Sequence, residues 1–464
     1  MEKPHADLVA QLQEVLGDGS VDLGETLNVP VSGASSGSGT TVPPTVAHVG
    51  RPRQAIHPLE DPQRPFEIIL GDHIDSGGMA DIDAAVQVSL NREVVVKRVK
   101  LAQQSAENTA ALCREAQILG QLEHPHIPPI HELAVANQGP LVMMKRIWGT
   151  RWDLQLVGMD VDTQLAHLRN LVRICHAVEY AHSKGILHLD IKPANVMLGE
   201  FGEVYLMDWG CATYLAADGK VYPKGFQGTP QYAAPEMFEE ENALTFQTDV
   251  YLLGATLHHI LTGRGPHLGA EVLQVVLSAL QSTPAEYPHE VAGELVELAH
   301  RAMARLPEDR FATVAAFREA IETYLRDFHL SELLRSARSA LQAATDLFAG
   351  EREDFFSFYQ HVFEGQFACR RVLESRRDDM QAQEVLLRLL LLLARHEISV
   401  RHMITARAVL KQLPRMDAWK QEVAEVEALY QKVESEQQRA GELTTQIQYK
   451  LLEQLQADKT KKPP

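Results

Sequence analysis

Ile186 to Gly210, ILHLDIKPANVMLGEFGEVYLMDWG, constrains this chain more than any other stretch. Its pattern predicts a short loop, a strand over Val196–Leu198, a tight turn at Phe201-Gly202 and a return strand over Val204–Met207, since glycine at the second turn position favours a hairpin. Pairing about the Phe201/Gly202 midpoint would set Asn195 opposite Asp208 across the open end. One amide oxygen beside one carboxylate makes a hard-oxygen site suited to Mg²⁺. Asp190 lies five residues before Asn195, with Lys192 between them, so a base, a cation and two metal ligands fall within 19 residues. A phosphoryl-transfer centre needs those parts.

His188-Leu189-Asp190, continuing to Asn195 through Lys192, and then Asp208-Trp209-Gly210 resemble the eukaryotic-type protein kinase family, and within it bacterial Ser/Thr protein kinases. The resemblance implies an α+β, two-lobed protein-kinase-like fold over residues 65–328, with a small β-rich N-lobe and a large helical C-lobe. By the same resemblance ATP is the phosphoryl donor, Asp190 orients the substrate hydroxyl and accepts its proton, Lys192 steadies the γ-phosphate, and Asn195 and Asp208 hold Mg²⁺. Leu189 stands where many of these kinases carry the arginine that receives a phosphorylated activation loop. The loop itself, Cys211 to Gln227, offers only Thr213, Tyr214 and Tyr222 as hydroxyls, so activity is expected not to wait for loop phosphorylation.

Upstream, FEIIL from Phe66, then Ile82–Val88 and Glu93–Val99, read as three strands of an antiparallel sheet, the first two joined through Asp75–Asp81. Gly77 and Gly78 let backbone N–H groups lie close over phosphates. Lys97, at the end of Val94-Val95-Val96-Lys97, resembles the strand lysine that holds the α/β-phosphates. Glu115, 18 residues on and flanking the apolar stripe of a helix over Asn108–Leu122, resembles the glutamate that pairs with it. By the same resemblance Ile74, Ile82 and Val95 are among the ATP-binding residues, Met144 sits at the back of the adenine pocket, where strand packing explains it equally well, and Lys145-Arg146-Ile147 form the hinge whose backbone bonds the adenine edge. Asp75 and Ala80 replace the first and third glycines of the family's loop, and Asp75 adds a carboxylate near the triphosphate.

The second lobe should be helical, beginning with Gln164–Lys184 and its stop at Gly185. Gly228-Thr229-Pro230 through Ala234-Pro235-Glu236 resembles the substrate-binding segment, and Thr229 with Lys192 is the pattern of Ser/Thr rather than Tyr kinases. Asp249 would fix the catalytic loop's backbone and Arg310 would pair with Glu236. Trp209 replaces the usual Phe and brings an N–H that needs an acceptor. Cys211 reads as an inert small residue rather than a redox group, and the spacing of His124, His126 and His131 suits no metal site.

Residues 1–64 hold a short helical stretch (Ala6–Leu16) and then VSGASSGSGTTVPPTV, too poor in apolar surface to offset its ordering entropy, so a disordered arm is expected. Thr26, Ser35, Ser36, Thr40 and Thr41 are within reach for autophosphorylation. Residues 329–414 give amphipathic helices (Phe355–Leu373, Gln381–Arg395, Val400–Leu413) resembling a degenerate tetratricopeptide-like domain, which fits either simple packing or recognition of a peptide or protein partner. Residues 415–464 carry heptads from Trp419 to Leu451. These fit a coiled-coil homodimer, or a single helix folded back on the helical domain, ending in a polar tail.

Charge narrows the partners. With 44 basic and 62 acidic side chains the chain carries −18, which opposes nucleic acid and anionic membrane as general ligands, so ATP must rely on local lysines and Mg²⁺. Four spaced cysteines without a Cys-x-x-Cys fit reduced thiols in a cytoplasmic protein. No signal peptide is recognised at the start, and the longest apolar run, Val385–Ala394 with Arg388 inside it, is too short for a membrane span. The expected activity is therefore that of a protein-serine/threonine kinase acting on protein hydroxyls. The alternative is a pseudokinase scaffold that binds partners through its C-terminal helices; Asp75 and Leu189 lean towards it, and the intact set of Lys97, Glu115, Asp190, Lys192, Asn195 and Asp208 opposes it.

Overall fold

The computed structural model describes residues 27–30 and 68–460, apart from 137–138, 157–159, 223–224, 240, 289–290, 351–353 and 414–418. The chain divides into two compact units, Met1–Leu325 and Arg326–Pro464. No helix of the described residues is long and apolar enough to cross a membrane.

In the first unit, five antiparallel strands pair in the order Ile68–Ser76, Ala80–Gln87, Arg92–Val99, Gly139–Lys145 and Ile130–Ala136. β-Branched Val94 and Val96 alternate with Val95 and Lys97, so one sheet face packs Val94 and Val96 against Ala85 and Met143. The other face sets Ile82 opposite Lys97, and Val95 opposite Met144. On that second side, Met144 and Val142 meet Leu112 and Ala116 of the Ala106–Leu119 helix. Ser105 caps this helix, its side chain accepting the N–H of Asn108.

Helices dominate the remainder of the unit. Val161–Ser183 is capped by Asp160, and the chain leaves it through Gly185 at φ 71°, a conformation that glycine adopts without strain. Phe246–Thr262 opens on a capping box between Thr245 and Thr248 and is almost wholly buried. Arg310 donates to both carboxylate oxygens of Glu236 (2.6 and 2.8 Å), and both side chains are buried. The sequence had suggested this pair. A bidentate bond of this kind locks the end of the Gly228–Glu236 segment to the helical core.

Two expectations need correction. Leu27–Pro30, inside the arm expected to be disordered, forms a strand antiparallel to Gly225–Gly228. The helical stretch Ala6–Leu16 and the rest of that arm lie outside the described residues. The hairpin register is also displaced by one. Val204 pairs with Leu198 and Leu206 with Val196, so the axis falls on Phe201 and Asn195 lies opposite Met207 rather than Asp208. The cause is a three-residue loop: the Gly202 N–H donates to the Gly199 carbonyl at 3.2 Å and Gly202 adopts φ 84°, adding one residue to a two-residue turn.

The second unit is helical, with Phe355–Ser375, Met380–Ser399 and Met403–Leu410 following the end of the Val314–Ala349 helix. The Lys420–Thr460 helix contributes Val426 and Tyr430 to the same core as Phe358, Leu387 and Leu391, with Trp419, Val423 and Val433 packed at its margin. The first turns of this helix therefore fold back on their own unit. Farther along, Leu443, Ile447 and Leu451 are exposed.

Burial in the helical lobe has a consequence for acid stability. It holds His258 and His267 down at about 4, with neighbouring histidines adding to the effect. Well above pH 6.5 both are neutral whether the chain is folded or not; as pH falls through 6.5 towards 4 the unfolded chain takes up protons that the folded chain refuses, so stability falls with pH. Each should contribute a loss on the order of 2 kcal/mol between pH 7 and pH 5. Urea midpoints across this range check it: His258→Gln should flatten the slope by its one-histidine share, and an unaltered slope would refute the assignment.

Candidate active site

Lys97 stands at the centre. Its Nζ donates to Glu115 Oε1 (2.6 Å) and Oε2 (2.8 Å) and lies 3.5 Å from Asp208 Oδ1. Burial opposes the lysine's charge, but the carboxylates of Glu115 and Asp208 outweigh it and hold the ammonium above the ordinary lysine range. Three elements meet there: the Arg92–Val99 strand, the Ala106–Leu119 helix and the turn after Val204–Leu206. Asp208 adopts a left-handed φ of 53°, so strand alternation ends at Met207 and the register slip does not decide where its carboxylate lies. The carboxylate lies deep among charged groups yet is 44% exposed, so the desolvation that pushes its pKa up is partial; Lys97 and Lys192 outweigh it and keep the group below the usual aspartate value.

A second cluster gathers on the loop preceding the hairpin. Asp190 Oδ1 accepts the Thr229 hydroxyl (2.7 Å), Oδ2 accepts Asn195 Nδ2 (2.8 Å), and Lys192 Nζ is 3.4 Å from Oδ2 and 2.5 Å from Thr229 Oγ1. Asn195 Nδ2 also donates to the Asp190 backbone carbonyl at 2.8 Å. Both amide protons are thus directed at Asp190, which fixes the amide and makes its carbonyl oxygen the group left to face a cation. An amide oxygen and an ionised, partly exposed carboxylate fit the donor preference of Mg²⁺.

The loop's backbone hangs from Asp249, which is fully buried. Its Oδ2 accepts His188 N–H (2.9 Å) and His182 Nε2–H (2.7 Å), and its Oδ1 accepts Leu189 N–H (2.9 Å). Leu189 takes φ 65°, strained for a residue with a Cβ. The Asp249 bonds keep it there and so aim Asp190. Burial would push Asp249 up, yet these donors and the nearby histidines hold it below its ordinary value. His188, whose burial pushes its pKa below the ordinary histidine value, accepts the Asp190 N–H at Nδ1 (3.2 Å), contacts the Met207 carbonyl through Nε2 (3.2 Å) and meets Trp209 edge-on at 4.5 Å. The Trp209 N–H finds its acceptor in the Leu206 carbonyl at 3.1 Å.

The remaining nucleotide-site expectations fare unevenly. Ile82, Val95 and Lys97 share a sheet face with Met144, which is buried. Ile74 is exposed at a stretch of irregular register, and Gly77 and Gly78 are exposed at the turn, where Gly77 N–H donates to the Ala80 carbonyl. Asp75 Oδ1 accepts the Ser76 N–H (2.8 Å), using a donor that the loop could otherwise offer to phosphate. The Lys145 N–H goes to the Pro129 carbonyl and its ammonium to the Tyr205 hydroxyl (2.6 Å), while Arg146 and Ile147 lie past the end of the strand. The Lys145–Tyr205 bond escaped the sequence reading, since nothing local marks a partner 60 residues away. Burial, the largest influence, pushes the Cys211 thiol up, in keeping with an inert residue. Among the described residues no group of three His, Cys, Asp or Glu side chains could hold a metal.

Comparison with known proteins agrees with this geometry. The family described as protein kinase domain matches residues 69–322. Among curated relatives, the chain is similar to the serine/threonine-protein kinase PknD of Chlamydia trachomatis, 29% identical over 295 residues covering 54% of this chain and 31% of the relative. It is also similar to a probable serine/threonine-protein kinase of Corynebacterium efficiens, 31% identical over 277 residues covering 56% of this chain and 41% of the relative. PknD of Chlamydia felis is 30% identical over 286 residues, covering 54% and 30%. The chain thus spans less than half the length of these relatives.

Asp249→Ala would leave three donors without their acceptor, two of them buried backbone N–H groups. We expect it to lower unfolding stability by about 3–5 kcal/mol. Chemical denaturation measures this, and a loss under about 1 kcal/mol would show that the loop does not depend on Asp249.

Proposed function

The chain belongs to the protein kinase family by its match over residues 69–322, and from that premise we propose that it is a Ser/Thr protein kinase of the bacterial type, transferring the γ-phosphate of ATP to protein hydroxyls with Mg²⁺. The observation that carries this reading is Lys97 tied to both Glu115 and Asp208 while Asp190 already accepts a hydroxyl, that of Thr229, at 2.7 Å. A substrate Ser or Thr would give its proton to Asp190 as its oxygen bonds to the γ-phosphorus. The bond from that phosphorus to the β–γ bridging oxygen breaks, and ADP leaves. Lys97 orients the α/β-phosphates and Lys192 faces the γ-phosphate. Asn195 and Asp208 would hold Mg²⁺, which when bound supplies charge neutralisation at the phosphates. Ile82, Val95 and Met144 would flank the adenine, with Arg146 and Ile147 as hinge backbone.

These contacts favour an enzyme over a pseudokinase scaffold, in which nothing would keep Lys97 with Glu115 and Asp208, or Asp190 with Lys192 and Asn195. Four free cysteines suit a reducing, cytoplasmic setting. For the helical unit, the exposed Phe356, Phe363 and Phe367 on one helix support a protein or peptide partner, and exposed Leu443, Ile447 and Leu451 support pairing with a second copy as a coiled coil.

Loop phosphorylation is not needed on this reading. Leu189 is buried where the family's phosphate-receiving arginine would stand. The loop is held without phosphate by Thr213–Tyr214 pairing with Ile186–Leu187 and by a bridge between Val221 and Leu244.

Phosphate incorporation from Mg·ATP tests the activity. Asp190→Ala and Asp208→Ala should each reduce it about 10²–10⁴-fold; equal incorporation by all three proteins would assign the signal to a contaminant and remove the proposal. Dephosphorylated wild type should start at its full rate, and a lag abolished by pre-incubation with ATP would contradict independence from the loop.

A further inference from the structure

Gly225–Gly228 runs directly into Thr229, whose hydroxyl lies on Asp190, so it borders the path a polypeptide must follow to present a hydroxyl to that carboxylate. In this structure the strand is already paired. Leu27 lies opposite Gly228, Asn28 opposite Gln227, Val29 opposite Phe226 and Pro30 opposite Gly225. The Gly228 end is the one against the catalytic loop: a Cβ placed on Gly228 would come within 2.9 Å of the Leu189 carbonyl oxygen and 3.8 Å of Asp190 Oδ1. Leu27 therefore marks the end of the added strand that lies nearest the catalytic carboxylate.

The backbone invites such pairing. Gly225 and Gly228 take φ 126° and 129°, a region open to glycine, and neither brings a side chain that a second strand must avoid. Leu-Asn-Val-Pro carries no charge and ends on a residue without an N–H, as the last position of an edge strand tolerates. Strand addition gains its affinity from main-chain hydrogen bonds and so accepts many sequences.

We propose that Leu27–Pro30 is a cis-acting occupant of the protein-substrate path, pairing with Gly225–Gly228 and competing there with extended segments of substrate proteins. The proposal rests on the phosphoryl-transfer reading above. Both strands belong to one chain, so the competition is intramolecular and even weak strand pairing raises the apparent KM for protein substrate.

Full-length protein carrying Asn28→Pro together with Val29→Pro loses whichever of the two interior N–H groups faces Gly225–Gly228, since neighbouring residues of an antiparallel strand point theirs to opposite edges, and touches no residue of the catalytic cluster. Two measurements are made on wild type and variant: hydrogen exchange of the peptide spanning Gly225–Gly228, and steady-state phosphorylation of casein. We expect faster exchange in the variant, with KM for casein lowered about two- to tenfold and kcat unchanged. Unchanged exchange overturns the pairing, whether or not the protein transfers phosphate. Faster exchange with an unchanged KM, or with a change in kcat alone, overturns the competition. Should neither protein label casein, the phosphoryl-transfer reading and the competition fall together, while exchange still decides whether the strand pairs.

Discussion

One largely buried ammonium, that of Lys97, ties together three elements of the first unit. Lys97 belongs to the sheet, Glu115 to the helix packed on it and Asp208 to the turn after the hairpin, and the lysine lies within 3.5 Å of both carboxylates. Taking such charges out of water is costly, and the geometry repays the cost only when every partner is present. Removing Glu115 would leave Lys97 with half its compensation, and removing Lys97 would leave two carboxylates facing each other. The position of the Ala106–Leu119 helix is thereby tied to the chemistry of the cleft. Its apolar contacts through Leu112 and Ala116 hold it against the sheet without specifying which way its polar flank points.

A second, neutralising network does for Asp190 what Glu115 does for Lys97. Asp249 gathers donors from His182, His188 and Leu189, His188 passes the support to the Asp190 N–H, and Asn195 and Thr229 close on the Asp190 carboxylate. Two residues with side chains, Leu189 and Asp208, sit at positive φ on either side of this network. Strain of this kind persists only where surrounding bonds over-determine it. The Asp249 carboxylate supplies that constraint at Leu189, and at Asp208 the attraction of Lys97 acts in the same direction.

Much of this was legible in the sequence because the side-chain pairs follow from motif spacing. Lys97 with Glu115, Arg310 with Glu236 and Asp249 with the loop backbone all form as the resemblance implied. What the sequence obscured depended on backbone geometry or remote pairing. Glycine at 202 announces a turn but does not distinguish a two-residue loop from three residues with a bulge, and that distinction moved Asn195 from Asp208 to Met207. Leu27–Pro30 is too short to declare itself locally, and its partner lies some 200 residues away. Heptads in the last helix fit both folding back and dimerisation; Val426 and Tyr430 decide for folding back in its first turns, and the turns beyond them stay exposed.

The central claim is that the Asn195 amide oxygen and the Asp208 carboxylate serve one divalent ion beside a nucleotide. Anomalous diffraction from crystals grown with Mn²⁺ and a non-hydrolysable ATP analogue tests it most directly. The account predicts a manganese peak in contact with both side chains and with phosphate oxygens, and its loss in Asp208→Ala crystals. Nucleotide bound with no metal at these residues, or metal held elsewhere in the cleft, would contradict it.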